Sequence, residues 1–251
     1  MPHTLVIIPT YNERENIEPI VTRVLAAVPG ADILIVDDAS PDGTGVLADA
    51  LSARHTNVHV LHRLAKNGLG AAYLEAFTWG LSRGYHRLVQ MDADGSHRPE
   101  QLPGLLAAAD TADVVMGSRW VPGGAVRNWP WHRLALSRAG SSYSRILLNL
   151  PQRDVTGGFR VYSASALERM QLSRVDSLGY CFQIDMLLHA VRAGLRVVEV
   201  PITFIERTHG RSKMSGGIVL EAMARVTLWG LSGRGIRRPR ATAPASSSRT
   251  G

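Results

Sequence analysis

With a single cysteine, Cys181, this chain has no means of forming an internal disulfide, which suits a reducing compartment. Long apolar runs are missing too. A membrane span needs about 18–20 apolar residues, and the nearest approach, 218–231, is interrupted by Glu221 and Arg225. The apolar start Leu5-Val6-Ile7-Ile8 is too short for the core of a secretory signal, and no basic segment precedes it. These absences predict a cytoplasmic chain. The nine histidines are scattered and form no H-E-x-x-H pair, and there is no G-x-S-x-G, so neither a zinc-protease helix nor a nucleophile elbow is indicated. Acids are absent from the last twenty residues, 232–251, which carry five arginines. Without those arginines the formal charge falls from +7 to +2, so the basic character belongs mainly to a tail. The nearly balanced remainder predicts no nucleic-acid partner, and the Arg-, Ser- and Pro-rich tail reads as disordered.

Apolar residues make up 45% of the chain and charged ones 20%, enough for a sizeable core. The first half alternates short β-rich runs with helical patterns. Strands are predicted at 4–8, 32–36, 57–61, 87–91 and 113–117, and helices at 14–28, 45–53, 69–83 and 99–108. That rhythm means βαβ units and a mostly parallel α/β sheet with helices on both faces. The second half predicts helices at 133–150, 180–192 and 216–231, a glycine-hinged turn at 154–162 and one alternating strand at 196–206.

Ligands of such sheets bind beyond the carboxyl ends of the strands. Four polar clusters fall there: Pro9 to Glu13, Asp37-Asp38, Asp92-Ala93-Asp94 and Gly117-Ser118-Arg119. Asp92 and Asp94 repel each other unless something joins them. Two carboxylates at i and i+2 suit a hard cation such as Mg²⁺ or Mn²⁺, with coordination positions left open for phosphate oxygens. The plainer alternative is a helix-capping aspartate beside a solvated loop acid; the coincidence of four clusters on one edge favours a site. Arg119, Arg133, Arg207 and Lys213 supply cations, and the arginine fork matches phosphate. The stretch RTHGRSK (207–213) reads as a basic loop with a glycine hinge, able to close over a diphosphate. His209 can touch phosphate there, whereas His97 reads as shaping its own turn. Asp37-Asp38 sits where an acid accepts hydrogen bonds from a ribose or base. A dinucleotide-binding oxidoreductase is a poor competitor. GTGVLA (43–48) matches G-x-G-x-x-A but follows the acid pair instead of the first strand, which leads into PTYNE.

The segments PTYNE (9–13), VDDASPDGT (36–44), MDADGSHRPE (91–100) and GSR (117–119) resemble inverting GT-A glycosyltransferases that use nucleotide sugars. NWPWHRLALSR (128–138), DVTGGFRVY (154–162), GYCFQIDM (179–186) and ERTHGRSKM (206–214) are similar to the dolichol-phosphate or polyprenol-phosphate mannose synthases. The resemblance runs from about residue 4 to 231. It implies a single GT-A domain over 1–231, with a nucleotide-sugar half (1–118), an acceptor half (119–215), a C-terminal amphipathic helix (216–231) and a tail (232–251). It implies that Pro9, Tyr11, Glu13, Val36 and Asp38 surround the guanosine part of GDP-mannose. Asp92, Ala93 and Asp94 would meet a metal, Mg²⁺ or Mn²⁺, and the diphosphate. Arg119, Arg207 and Lys213 would hold donor phosphates, and Arg133 and Ser137 the phosphate of a polyprenyl acceptor. Some relatives carry a glutamine metal ligand where this chain has Ser96, a weaker ligand that water can replace.

Such an acceptor brings its own negative oxygen, so transfer needs no protein base. Close rivals are the same chemistry with UDP-glucose, or a nucleotide-sugar-binding module without catalysis. A lipid acceptor also calls for a membrane surface, here the cytoplasmic face. The helix 216–231 places Val219, Ala222, Met223, Val226 and Trp229 on one face, which would lie at the bilayer interface or else pack on the domain. An integral membrane protein acting as a tether is the other possibility.

Overall fold

Alternation along the first strands splits the core into two layers. In β1 (Thr4–Thr10) Leu5 and Ile7 join one apolar cluster, whereas Val6 and Ile8 join the other. This is the period-two geometry of a strand buried on both faces. The computed structural model describes residues 3–175, 177, 179, 181–206 and 216–232. On one side of the sheet lie α1 (Arg14–Ala27), α2 (Thr44–Arg54) and α4 (Leu102–Ala108), which send Ile17, Val21, Leu51 and Leu105 into one cluster. On the other lie α3 (Leu69–Ser82), α5 (Trp131–Leu148), α6 (Ala164–Arg169), α7 (Phe182–Arg192) and α8 (Gly216–Leu231). Tyr73, Phe77, Tyr162 and Phe182 form an aromatic centre there, with Tyr73 and Phe182 stacked 6.0 Å apart.

The remaining strands are β2 (Ala31–Asp37), β3 (Val58–His62), β4 (Arg87–Gln90), β5 (Val114–Ser118), β6 (Ala125–Arg127), β7 (Arg160–Ser163), β8 (Val197–Pro201) and β9 (Thr203–Ile205). Seven of the strands form one sheet in the order β3-β2-β1-β4-β7-β5-β8. The mostly parallel α/β architecture is as predicted, with one correction. β7 inserts between β4 and β5 and runs antiparallel to both. The last three residues of the glycine-hinged run 154–162, together with Ser163, complete the centre of the sheet. Because β7 runs backwards, its first residue, Arg160, pairs with Gln90 and Met116 near the carboxyl ends of β4 and β5. The preceding glycine turn is thereby delivered to the ligand-binding edge.

The strand predicted at 196–206 is also divided. β8 pairs with β5, then β9 leaves to pair with β6 in a separate two-stranded sheet. Ile202, buried between them, donates its N–H to the Ser118 carbonyl at 3.0 Å.

In α8 part of the apolar stripe turns inward, while Met223 stays 41% exposed. Val226 and Trp229 are buried, Ala222 packs against the core, and the Tyr143 and Thr227 hydroxyls meet at 2.6 Å. Packing on the domain thus wins for that face. Leu220, Leu228 and Leu231, on the opposite face, are 65–80% exposed. The side chain of Val219 lies outside the described residues. Among the described residues no helix is long and apolar enough to cross a membrane.

Candidate active site

The acids of β2 divide the work. Asp37 is buried and ties two strand ends together: its carboxylate accepts from the Thr10 hydroxyl at 2.9 Å and from Ser40 at 2.6 and 3.0 Å. Asp38, one residue on, pairs with Arg63, which also donates to Glu75 at 2.8 Å. Burial, opposed by Arg63, pushes the Asp38 carboxyl above its ordinary pKa. Val36 is wholly buried in the core, so its side chain supports this edge from beneath instead of lining it. Pro9 is half-buried at the end of β1. Tyr11 presents its ring to the Lys66 ammonium at 3.8 Å, a cation that no motif in the sequence singles out. The Glu13 N–H donates to the Thr44 hydroxyl at 3.0 Å, which itself donates to Asp42. The glycines of GTGVLA serve this local structure. Gly43 turns the chain at φ +87°, and a side chain at Gly45 would press on Asp37.

At the end of β4 the chain turns sharply. Asp94 accepts the Ser96 N–H at 3.0 Å across Gly95, whose φ is +75°. Asp94 and Ala93 are buried, whereas the Asp92 side chain is 36% exposed. His97 shapes this turn, as the sequence suggested. Its Nδ1 accepts the Asp92 N–H at 3.0 Å, and its ring stacks on Phe159 at 4.9 Å. Acceptance at Nδ1 requires that nitrogen to be unprotonated. Burial and then the proximity of Asp92 push the Tyr73 phenol well above its ordinary pKa, so it stays neutral.

Ser96 is 2% exposed, and its hydroxyl oxygen has no hydrogen-bond partner. A buried, unpaired hydroxyl costs free energy unless a ligand completes it. Among the described residues no three His, Cys, Asp or Glu side chains stand together as a ready-made metal cage. Two carboxylates and a hydroxyl instead match a cation that shares its shell with substrate phosphates.

Arg119 differs most from expectation. Its guanidinium grips Asp154 through Nε at 2.7 Å and Nη2 at 2.6 Å, and Nη2 also reaches the Thr156 hydroxyl at 3.0 Å. Asp154 has no exposed surface and accepts the Arg119 N–H as well, at 2.9 Å. Much of the arginine fork is therefore committed to a carboxylate, and Arg119 reads as a positioned charge beside the site. Arg133 is paired with Glu206 and stacks on Trp129 at 4.3 Å. Ser137 is one helical turn further along α5 on the same face as Arg133. Arg207, His209 and Lys213 lie outside the described residues.

Two residues of the quoted motifs received no role from sequence. Arg160 has no exposed surface and donates to the carbonyls of Gly157 (2.8 Å), Val155 (3.1 Å) and Gln183 (2.8 Å), which locks the glycine turn in place. Gln183 is also buried, with its Oε1 unpartnered. A side chain added at Gly158 would sit 3.4 Å from the Gln183 amide nitrogen and 3.6 Å from the His97 ring.

Comparison with known proteins shows what this chain is similar to. Residues 5–171 match the model of glycosyl transferase family 2. A polyprenol monophosphomannose synthase of Mycolicibacterium smegmatis is 60% identical over 92% of this chain and 88% of its own length. An undecaprenyl-phosphate mannosyltransferase of Micrococcus luteus is 57% identical over 92% and 95%. Among solved structures, a Mycobacterium tuberculosis glucosyl-3-phosphoglycerate synthase with Mn²⁺ and UDP superposes at TM-score 0.66 with 20% identity, over 93% of this chain and 80% of that one. A Pyrobaculum calidifontis mannosyltransferase with GDP-Man and Mn²⁺ reaches 0.54 with 18% identity, over 93% and 73%.

Proposed function

The chain belongs to glycosyl transferase family 2, and from that premise we propose that it transfers mannose from GDP-mannose to a polyprenyl monophosphate, releasing GDP. The observation that carries this reading is the gathering of Asp38, the Asp92–Asp94 turn and Arg119 along one edge of one sheet, with Arg133 on the helix that follows. Relatives named for polyprenyl-phosphate mannosyl transfer support the choice of sugar and acceptor.

In this reading Asp38, Tyr11 and Glu13 face the guanosine. Asp92 and Asp94, with the Ser96 hydroxyl, would hold Mg²⁺ or Mn²⁺. The cation's part is to neutralise the diphosphate as it leaves. The acceptor phosphate oxygen attacks the anomeric carbon, the bond from that carbon to the diphosphate oxygen breaks, and configuration inverts. No proton need be removed, because the attacking oxygen is already anionic near neutral pH. The protein's task is to hold two mutually repelling phosphates close together. Arg133, half-buried beside Ser137, meets the acceptor phosphate by giving up or sharing Glu206; Arg207 and Lys213 are assigned to the donor phosphates.

One assay tests donor, acceptor and metal together. Labelled GDP-mannose with polyprenyl phosphate is expected to yield a lipid-extractable product that EDTA eliminates. UDP-glucose is expected to yield at least tenfold less. Equal transfer from both donors, or transfer indifferent to EDTA, would reject this assignment.

Ser96 offers a finer check. Ser96→Ala removes one neutral oxygen and leaves both carboxylates, so Mn²⁺ binding to the GDP complex should weaken by about tenfold or less. Isothermal titration measures this directly, and an unchanged affinity would take Ser96 out of the metal shell.

Access to a lipid acceptor calls for a membrane surface, and the outer face of α8 supplies apolar area. The double substitution Leu220→Glu/Leu228→Glu alters exposed positions only and should leave folding intact. Its sedimentation with anionic vesicles is expected to fall at least fivefold; sedimentation equal to that of the unaltered protein would remove α8 from the membrane contact. Ending the chain at Ser215 is a poorer test, because it would uncover the core that Val226 and Trp229 close.

A further inference from the structure

A second basic feature borders Arg119 but is lined by residues given no role above. A pocket of about 300 Å³ is lined by Trp120, Arg138, Ser141, Ser142, Arg145 and Arg153. Four of these come from α5. At about 100° per residue, 138, 141, 142 and 145 form a single stripe along the helix. Arg133 and Ser137 point roughly 90–130° away from the middle of that stripe, and the α8 contacts of Tyr143 and Leu147 lie on the opposite flank. The pocket is thus neither the expected acceptor site nor part of the α5–α8 seam.

Its lining carries three arginines and no acid. Arg63, Arg119 and Arg133 each have a carboxylate partner. Among the described residues Arg138, Arg145 and Arg153 have none. Glu199, the acid beside this segment, is occupied by the N–H groups of Arg153 at 2.8 Å and Asp154 at 2.9 Å. Three unpaired guanidinium groups around one cavity repel one another, an arrangement that an anion relieves. The second observation concerns Trp120. Its indole lines the pocket, and its Nε1–H is buried with no acceptor. The same ring takes the Arg138 guanidinium at 5.0 Å and the Arg119 guanidinium at 5.1 Å. The arginine forks are donors only, the Ser142 hydroxyl can donate or accept, and the Ser141 hydroxyl is already shared with Thr156 at 3.3 Å.

We propose that this pocket binds a phosphate group, separate from the donor and acceptor phosphates of the transfer reaction. The source is either the headgroup of an anionic lipid in the surface against which the enzyme works or a soluble phosphate. Because Trp120 also carries Arg119, occupancy of the pocket bears on the Arg119–Asp154 pair from its outer side.

The test uses the full chain in EDTA, titrated with inorganic phosphate and followed calorimetrically. Saturable binding is expected. The double variant Arg138→Gln/Arg145→Gln should weaken it at least tenfold, and Arg174→Gln, which removes the same charge outside the pocket, should change it less than twofold. Phosphate affinity unchanged in the double variant, or equally reduced in Arg174→Gln, overturns the proposal. Should the double variant not fold, Arg153→Gln lies off the helix and is expected to weaken binding at least threefold, and unchanged binding overturns the proposal equally. A parallel arm compares sedimentation with phosphatidylglycerol and phosphatidylcholine vesicles. Loss of the phosphatidylglycerol preference in the double variant assigns the site to a lipid headgroup. Its retention, with inorganic phosphate binding lost, assigns the site to soluble phosphate.

Discussion

Asp94→Ala is expected to reduce mannosyl transfer by about 10³-fold or more while the protein remains folded. Two effects of the substitution must be separated. Asp94 accepts the Ser96 N–H at 3.0 Å, so alanine also loses a turn hydrogen bond worth about 1 kcal/mol. That is a small fraction of the stability of a typical domain. Asp94→Asn keeps an acceptor for the same N–H and removes only the charge. If Asp94 serves the cation and the leaving diphosphate, both variants fail together and both bind Mn²⁺ poorly in the presence of GDP. If Asp94 matters only for the turn, asparagine restores transfer. Wild-type-like transfer by a folded Asp94→Ala protein would sink the metal role altogether. Circular dichroism and the melting temperature supply the control, with a shift of only a few degrees expected for either variant.

Asp154→Ala should have the largest effect on stability. The carboxylate is fully buried and receives Nε, Nη2 and the backbone N–H of Arg119. Alanine leaves a guanidinium that is itself 8% exposed without its counter-charge. Breaking a buried pair from one side costs about 3–5 kcal/mol, because the remaining charge stays desolvated. For a chain of this size the melting temperature should fall on the order of 10 °C. Activity should fall as well, since Arg119 loses the partner that aims it. The double variant Asp154→Ala/Arg119→Met tests the physical cause. Removing both charges should recover most of the lost stability and none of the activity. If the double variant melts no higher than Asp154→Ala, the cost arises from lost packing and not from a stranded charge.

Much of the candidate site at the strand ends was legible in the chain itself. Alternating apolar runs, each ending in polar residues, locate the carboxyl ends of β1, β2, β4 and β5, and a parallel sheet necessarily collects those ends on one edge. Asp38, Asp92 and Asp94 follow from that rule alone, since the information is local: a strand, a turn, an acid. Val36 needs the fold to place it. It precedes Asp37 and Asp38 in the chain, yet period-two geometry turns its side chain into the core beside Leu34.

The other half of the site is decided by pairings distant in sequence. Nothing in RVYS (160–163) announces a central strand, since four residues carry too little pattern to reveal their neighbours. Only insertion between β4 and β5 brings the glycine turn to the edge, where Arg160 pins it through three carbonyls. The union of Arg119 with Asp154 spans 35 residues, and that of Arg133 with Glu206 spans 73. A surface arginine and a buried, ion-paired one look alike in a sequence. The helix α8 makes the same point through packing. Its apolar residues run almost all the way round, so the periodicity names a stripe without naming what covers it. Contact with α5 and the core settles that Val226 and Trp229 turn inward and that Leu220, Leu228 and Leu231 face out. Sequence periodicity records which residues avoid water, whereas the tertiary fold assigns each of them a partner, because partners are chosen by contacts between segments that the chain itself keeps far apart.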